Sequence, residues 1–229
     1  MSKNSSIIVG VIPARGGSKG LPKKNIKSMN GKPLIYYTIE SAIASKVIDK
    51  LIVSTDSDEI ANLCSEFLEV IVYKRPDELA TDTASTEDAL IHACEELARL
   101  ENISADYVLT LEPTSPFRTV ETIQDTVQLL LTPGIDSVVA VTEVSSVLGR
   151  IDKQKFSHIF PNQPRRRQER EPLYQESSTI YGTAIQTLLD KKLVIGDYPA
   201  PIIVQKKEAL DINDEFDFKV VESVMKYKV

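Results

Sequence analysis

Residues 7–12 read Ile-Ile-Val-Gly-Val-Ile, an apolar run of strand length without polar alternation, the pattern of a strand that is fully buried. It empties into Pro13-Ala14-Arg15-Gly16-Gly17-Ser18-Lys19-Gly20-Leu21-Pro22-Lys23-Lys24-Asn25. Gly16, Gly17 and Gly20 allow backbone conformations closed to other residues, so main-chain N–H groups can approach an anion closely. Arg15, Lys19, Lys23 and Lys24 surround that backbone with cations, and a polyphosphate is the guest that such a loop suits. A merely solvated basic loop would need neither the clustered glycines nor a buried strand feeding it. The spacing is neither G-x-x-x-x-G-K-[ST] nor G-x-G-x-x-G.

Downstream, strands and helices alternate. Pro33 suits the first position of a helix through Leu34, Ile39 and Ile43. Residues 50–55 form a strand that ends at Asp56-Ser57, a cap for a helix over 59–67. A short strand over 70–73 precedes a long polar connection, 74–84, and Ser85 can cap a helix from Thr86 to about residue 100. Residues 107–112 are a buried strand, Thr119 opens another helix, and 137–142 is one more strand. This rhythm specifies an α/β fold with a mostly parallel sheet and helices on both faces. Ligands of such sheets sit beyond the carboxyl ends of the strands, so the loops after Pro13, Thr55, Tyr73 and Glu112 should share one rim. From residue 143 to 178 the rhythm breaks into short apolar pairs separated by Gly149, Pro161, Pro164 and Arg165-Arg166-Arg167-Gln168, read as an excursion of hairpins or irregular strands. Regular structure returns over 179–189, with a strand at 202–205 and a closing helix over 214–226.

At 229 residues the chain suits a single domain, 1–229, and its net charge of −6 argues against nucleic acid as a partner. The apolar run at 7–12 is too short for a membrane span or a signal segment, which points to a cytoplasmic protein. Cys64, with Ile60 and Phe67, and Cys94, with Leu90 and Leu97, fall on apolar helical faces, so both are expected in the core rather than in a disulfide. His92 and His158 belong to no zinc or Ser-His-Asp pattern.

Residues 12–25 resemble the signature I-P-A-R-x-x-S-K-G-x-P-x-K-N of the acylneuraminate cytidylyltransferases, which make CMP-activated sugar acids. Three further stretches follow in the family's order. Arg75-Pro76-Asp77-Glu78-Leu79-Ala80-Thr81-Asp82 is similar to R-P-x-E-L-A-x-D. Leu111-Glu112-Pro113-Thr114-Ser115-Pro116-Phe117-Arg118 is similar to L-Q-P-T-S-P-L-R, with Glu112 in place of glutamine. Leu210-Asp211-Ile212-Asn213 is similar to I-D-I-D, with Asn213 in place of the second aspartate. The resemblance implies a Rossmann-like nucleotidyltransferase fold, a three-layer sandwich, in which 143–178 is a dimerisation excursion.

It also implies a reaction and a site. The anomeric hydroxyl of a nonulosonic acid (sialic acid or a relative such as legionaminic acid) would attack the α-phosphorus of CTP and release pyrophosphate. Arg15, Lys24 and Asp211 would be the catalytic groups. CTP contacts would fall on Ala14, Arg15, Gly16, Gly17, Lys24, Asn25, Arg75, Ser85 and Thr86. The sugar acid would meet Glu112, Thr114, Ser115, Ser177 and Tyr181, with Arg167 and Gln168 supplied by the excursion of a neighbouring subunit. Mg²⁺ would sit on Asp211 and Asn213, oxygen donors of the kind a hard cation takes. The expected partners are CTP, the sugar acid and a second copy of the chain, with no nucleic acid and no membrane. The same chemistry on an eight-carbon acid such as Kdo, and a nucleotide-binding paralogue without catalysis, are the alternatives. Because the departures gather at Glu112, Ser177 and Ser178 while Arg15, Lys24 and Asn25 are unaltered, CTP use is expected to be retained and the acceptor pocket retuned toward a legionaminic-type acid.

Overall fold

The computed structural model describes residues 6–227; the polar start at residues 1–5 lies outside them. The buried run becomes β1 (Ile8–Pro13). A two-stranded hairpin, β2 (Ser28–Met29) and β3 (Lys32–Pro33), turns at Asn30-Gly31, both with positive φ. Asn-Gly is the pair that a tight hairpin turn of this hand selects. Then follow α1 (Leu34–Ser45), β4 (Lys50–Thr55), α2 (Asp58–Cys64), β5 (Val70–Lys74), α3 (Thr86–Glu101), β6 (Tyr107–Thr110), α4 (Val120–Leu130) and β7 (Ser137–Val144). Ser57, Ser85 and Thr119 each accept a backbone N–H from the first turn of α2, α3 and α4, satisfying donors that a helix start leaves free. The chain closes with the hairpin β8 (Gly149–Asp152) and β9 (Lys155–His158), then β10 (Leu173–Ala184), α5 (Ile185–Lys191), β11 (Pro199–Ile203) and α6 (Glu215–Tyr227).

The central sheet has 7 strands in the order β11-β7-β10-β6-β1-β4-β5. β1 pairs in parallel with β4 and β6, β4 with β5, and β11 with β7; β10 alone runs antiparallel, between β6 and β7. The period-2 alternation of β1 divides the core. Ile8 and Ile12 face a cluster with α1, α2 and α4, whereas Val9 and Val11 face one with α3 and α5. The result is the three-layer sandwich expected from the strand–helix rhythm. Cys64 and Cys94 are buried in these clusters, and burial pushes both thiols up to about 12.

A smaller third cluster matters more for function. Leu21 from the glycine loop, Met29, Leu34 and Ile212 pack with Phe218 and Val221 of α6. Ile212 also donates its N–H to the Thr114 carbonyl. The segment before α6 is thereby fixed against both the first loop and the loop after β6.

Between β7 and β10 the chain leaves the sandwich. Lys153 and Gln154 turn the β8–β9 hairpin with positive φ, and Ile151 and Phe156 on it are 77% and 57% exposed. β10 carries an irregularity between Glu176 and Tyr181 where its register shifts. Such a bulge re-aims side chains, here at the rim of the sheet.

Candidate active site

The carboxyl ends of β1, β4, β5 and β6 do share one rim, and the glycine loop lies along it. Gly16 donates its N–H to Asp56 Oδ1 at 2.7 Å, and a Cβ on Gly16 would lie 2.8 Å from the Cβ of Ser57. A Cβ on Gly20 would lie 2.3 Å from the Asn213 carbonyl oxygen. Only glycine permits that approach, which joins the loop to the segment before α6.

Beneath the loop opens a cavity of about 330 Å³, walled by Arg15, Lys19, Lys24 and Asn25 on one side and by Arg75, Ser85, Thr86, Glu112 and Thr114 on the other. Asn25 is buried and donates to the Arg15 carbonyl at 3.1 Å, bracing the loop's return. Lys24 Nζ donates to the Ile212 carbonyl at 2.8 Å, and burial holds its pKa below the ordinary value, against the nearby Asp211 and Glu112. Arg75 is also buried. Its guanidinium bonds Ser54 and the Leu79 carbonyl, so it ties the connection over 75–85 to β4. Ser85 caps α3 by accepting the Asp88 N–H at 3.0 Å.

Asp82 is the residue that motif reading quoted without a role. It accepts Arg15 Nη1 at 2.9 Å and Lys19 Nζ at 2.8 Å, so one carboxylate engages two loop cations. The hydrogen bond from Lys19, then that from Arg15, holds its pKa below the carboxylate range.

A second cavity of about 460 Å³ shares Lys24, Thr86, Glu112 and Thr114 with the first. Its other walls include Glu87, Thr110, Glu176, Ser178, Tyr181, Asp211 and Asn213. Tyr181 donates its hydroxyl to Glu176 at 2.8 Å, and the Thr110 Oγ1 is buried without a partner among the described residues. The Glu112 pKa is raised to about 7, first by burial and then by Asp211, against Arg118, Lys24 and Arg75. The backbone of Glu112 is anchored by Arg118, whose guanidinium bonds the Glu112 carbonyl, the Thr179 carbonyl and Thr38.

The donor set at Asp211 suits a divalent cation. Asp211 Oδ2 accepts from Asn213 Nδ2 at 3.0 Å, while Asp211 Oδ1 is buried with no partner among the described residues. A buried carboxylate oxygen lacking a donor is costly unless a cation meets it. With its Nδ2 donated to Asp211, Asn213 would have its amide oxygen left for such an ion. Among the described residues no group of three or more His, Cys, Asp or Glu side chains is arranged to hold a metal, so phosphate and water have to complete such a shell.

Not every residue singled out from sequence reaches the cleft. Ala14 is buried beneath the loop, its N–H on the Ser54 carbonyl, and Gly17 faces open space. Ser115 is buried with its hydroxyl 3.3 Å from that of Ser178. Ser177 turns into the protein, 2.7 Å from Thr179 Oγ1, and Ser178 takes the cleft position. Arg167 and Gln168 line neither cavity, and Arg167 pairs with Glu143 at 3.3 Å. Glu176 escaped sequence reading, and Ser178 was not separated there from Ser177, because a polar strand end gives no sign of which face meets the cleft.

A parallel sheet whose carboxyl rim carries a glycine loop with converging cations defines an α/β protein built to handle phosphate. More narrowly, the chain belongs to the cytidylyltransferase family, whose model matches residues 9–208. It is 33% identical to the CMP-N,N'-diacetyllegionaminic acid synthase of Legionella pneumophila, a match covering 95% of this chain and 96% of that one. It is also 33% identical to the N-acylneuraminate cytidylyltransferase of Escherichia coli, over 96% of this chain and 52% of the relative's length. Among solved structures, a CMP:2-keto-3-deoxy-manno-octonic acid synthetase complexed with CTP superposes with a TM-score of 0.71 at 17% identity, covering 98% of this chain and 100% of the other. That last likeness is one of fold.

Proposed function

We propose that this protein is a CTP-dependent transferase that joins CMP to a nonulosonic acid and releases pyrophosphate. The observation that carries it is the pair of adjoining cavities: one under the glycine loop with Arg15, Lys19 and Lys24, the other beside Asp211, meeting along Lys24, Thr86, Glu112 and Thr114. The full-length similarity to a CMP-diacetyllegionaminic acid synthase supports the choice of acceptor class.

In this reading the nucleotide occupies the first cavity, with Ser85 and Thr86 toward the base and Arg15 and Lys24 toward the phosphates. The acceptor enters the second. Its anomeric oxygen forms a bond to the α-phosphorus as the bond to pyrophosphate breaks, and the hydroxyl proton leaves to solvent. Fixed cations favour the charge that develops on the phosphate oxygens, the main requirement of such transfers. Asp211 and Asn213 hold a divalent cation, Mg²⁺ in this proposal, which when bound neutralises phosphate charge.

A second copy of the chain completes the site. The excursion exposes Val147, Leu148, Ile151, Phe156, Ile159, Phe160 and Tyr174, apolar side chains concentrated in one stretch of the chain that a partner would cover. Covering it with a partner would carry Arg167 and Gln168 toward the neighbouring acceptor cavity, where a guanidinium suits a carboxylate. The localisation proposed is cytoplasmic, and no helix among the described residues is long and apolar enough to cross a membrane. The experiment is pyrophosphate release with CTP, Mg²⁺ and a panel of nonulosonic acids that includes Kdo. No release with any of them would refute the reading.

A further inference from the structure

We propose that the acceptor cavity selects a sugar acid bearing a strongly donating nitrogen substituent, a protonated amine or an amidine, over the same acid with a neutral acylamino group. The inference rests on the transferase reading above and concerns which acceptor that enzyme takes.

The charge of the second cavity is the starting point. Glu87, Glu112, Glu176 and Asp211 line it, and Lys24 is the cation among its walls. Asp211 is accounted for by the cation it would hold. The remaining carboxylates have no such use. Glu112 stands near Arg118, Lys24 and Arg75, yet each is engaged elsewhere. Arg118 bonds the carbonyls of Glu112 and Thr179 and the Thr38 hydroxyl. Lys24 bonds the Ile212 carbonyl, and Arg75 bonds Ser54 and the Leu79 carbonyl. The Glu112 carboxylate itself accepts no hydrogen bond from the described residues.

Tyr181 shows that these groups converge. Its phenol is raised above the ordinary value by burial, by its bond to Glu176, and by the fields of Glu112 and Asp211. With its proton committed to Glu176, it presents an acceptor oxygen to the cavity. On one side of the cavity an incoming nitrogen therefore meets the Glu112 carboxyl, the free lone pairs of Glu176 and the phenol oxygen, while Lys24 and the hydroxyls of Thr110 and Ser178 stand among the other walls. A neutral amide offers this group of oxygens a single N–H. An ammonium or amidinium offers several donors and a compensating charge, which makes each bond stronger. The acceptor's own carboxylate cannot lie against this wall, consistent with its reception by the partner's excursion.

The test uses the wild-type enzyme with Mg²⁺ and saturating CTP. Matched nonulosonic acids differ at one nitrogen, taken position by position as acetamido, amino or acetamidino. At one position, kcat/KM for the amino or acetamidino form should exceed that for the acetamido form by about ten-fold or more, because a site built for a donor penalises analogues lacking it. Glu112→Gln and Glu176→Gln should each shrink that ratio, Glu112→Gln more. Calorimetric CTP binding establishes that each variant is folded. The acetamido acid being preferred at every position, or a ratio unmoved in both variants, would overturn the proposal while leaving the transferase reading standing. Absence of pyrophosphate release with every acid would instead bring down the transferase reading, and this inference with it.

Discussion

The wall proposed for the nucleotide is made by loops leaving the parallel strands β1, β5 and β6, whereas the wall proposed for the acceptor draws on the antiparallel β10 and the extended segment before α6. Parallel strands deliver their following loops to one rim by topology alone, so cations converge there from separate stretches of chain. The acceptor wall needs a register shift in β10, a buried Ile212 and, in the proposed assembly, a second subunit. Electrostatics differ in the same sense. To the shared Lys24 and Glu112 the first cavity adds Arg15, Lys19 and Arg75 with Asp82 as its further carboxylate, and the second adds Glu87, Glu176 and Asp211. One wall is suited to a polyanion. The other must admit an acid among acids, which leaves it the part free to diverge in specificity.

Removing a principal group from either wall should have the largest effect. Arg15→Ala is expected to lower the rate with CTP on the order of 10²-fold or more, since it removes a cation from the charge developing on phosphate. Asp211→Ala should nearly stop turnover, and Asn213→Asp should lower the Mg²⁺ concentration for half-maximal rate. A folded Arg15→Ala enzyme of near wild-type rate, or Mg²⁺ titrations unchanged in both metal-side variants, would undo the assignment of the corresponding wall.

The seam between the walls comes next. Gly20→Ala places a methyl where the Asn213 carbonyl lies 2.3 Å away, so loop and segment must part. Overpacking of this kind costs about 1–3 kcal/mol. If the walls work as one site, kcat/KM should fall roughly ten-fold or more, in line with that cost, and the Mg²⁺ requirement should rise with it. A loss confined to CTP affinity, with the metal requirement unmoved, would mean that the walls adjust independently.

Glu112, common to both cavities, gives a pH test. Its pKa is raised from the ordinary 4.5 to about 7, so the native state binds this proton more tightly than the unfolded chain. Its stabilising contribution is full below pH 4.5 and is lost as pH rises through 7. In metal-free buffer the wild type should lose on the order of 1–2 kcal/mol relative to Glu112→Gln across that window, less than the full linkage value because the cleft admits water. Parallel denaturation curves for the two proteins would contradict the raised pKa.

Legibility followed the same division. The β4 span, the caps Ser57, Ser85 and Thr119 and the convergence of strand ends could be read from the chain because they are local signals repeated by topology. Arg15, Lys24, Asn25, Arg75, Ser85, Thr86, Glu112 and Thr114 all line the first cavity. The full length of β10 was not legible, because its first half, Leu-Tyr-Gln-Glu-Ser-Ser, lacks the alternation of a half-buried strand. Which of Ser177 and Ser178 faces the cleft depends on that strand's bulge, and no composition encodes it. The β2–β3 hairpin was overlooked although Asn30-Gly31 announces it. Asp82 sits in a polar connection where one carboxylate looks like another.

Asp82 supplies the smallest and most discriminating test. It engages Arg15 and Lys19 together, at 2.9 and 2.8 Å, in the cavity where the triphosphate is proposed to bind. A carboxylate bridging two cations occupies them much as a phosphate would, so CTP must displace it before those cations can turn to the nucleotide. That exchange weakens apparent affinity by the strength of the broken pairs. The pairs are solvent-exposed, which keeps each one weak and screened by salt. Asp82→Asn should therefore tighten CTP binding only about two- to five-fold. The gain should be larger for CTP than for CMP, because extra phosphates are what the released cations would meet. It should also fade at high ionic strength. Calorimetry of CTP and CMP on both proteins reads all three. Weaker CTP binding in Asp82→Asn would mean that Asp82 orients Arg15 for the nucleotide rather than competing with it, and an equal gain for CMP would move Arg15 and Lys19 away from the outer phosphates.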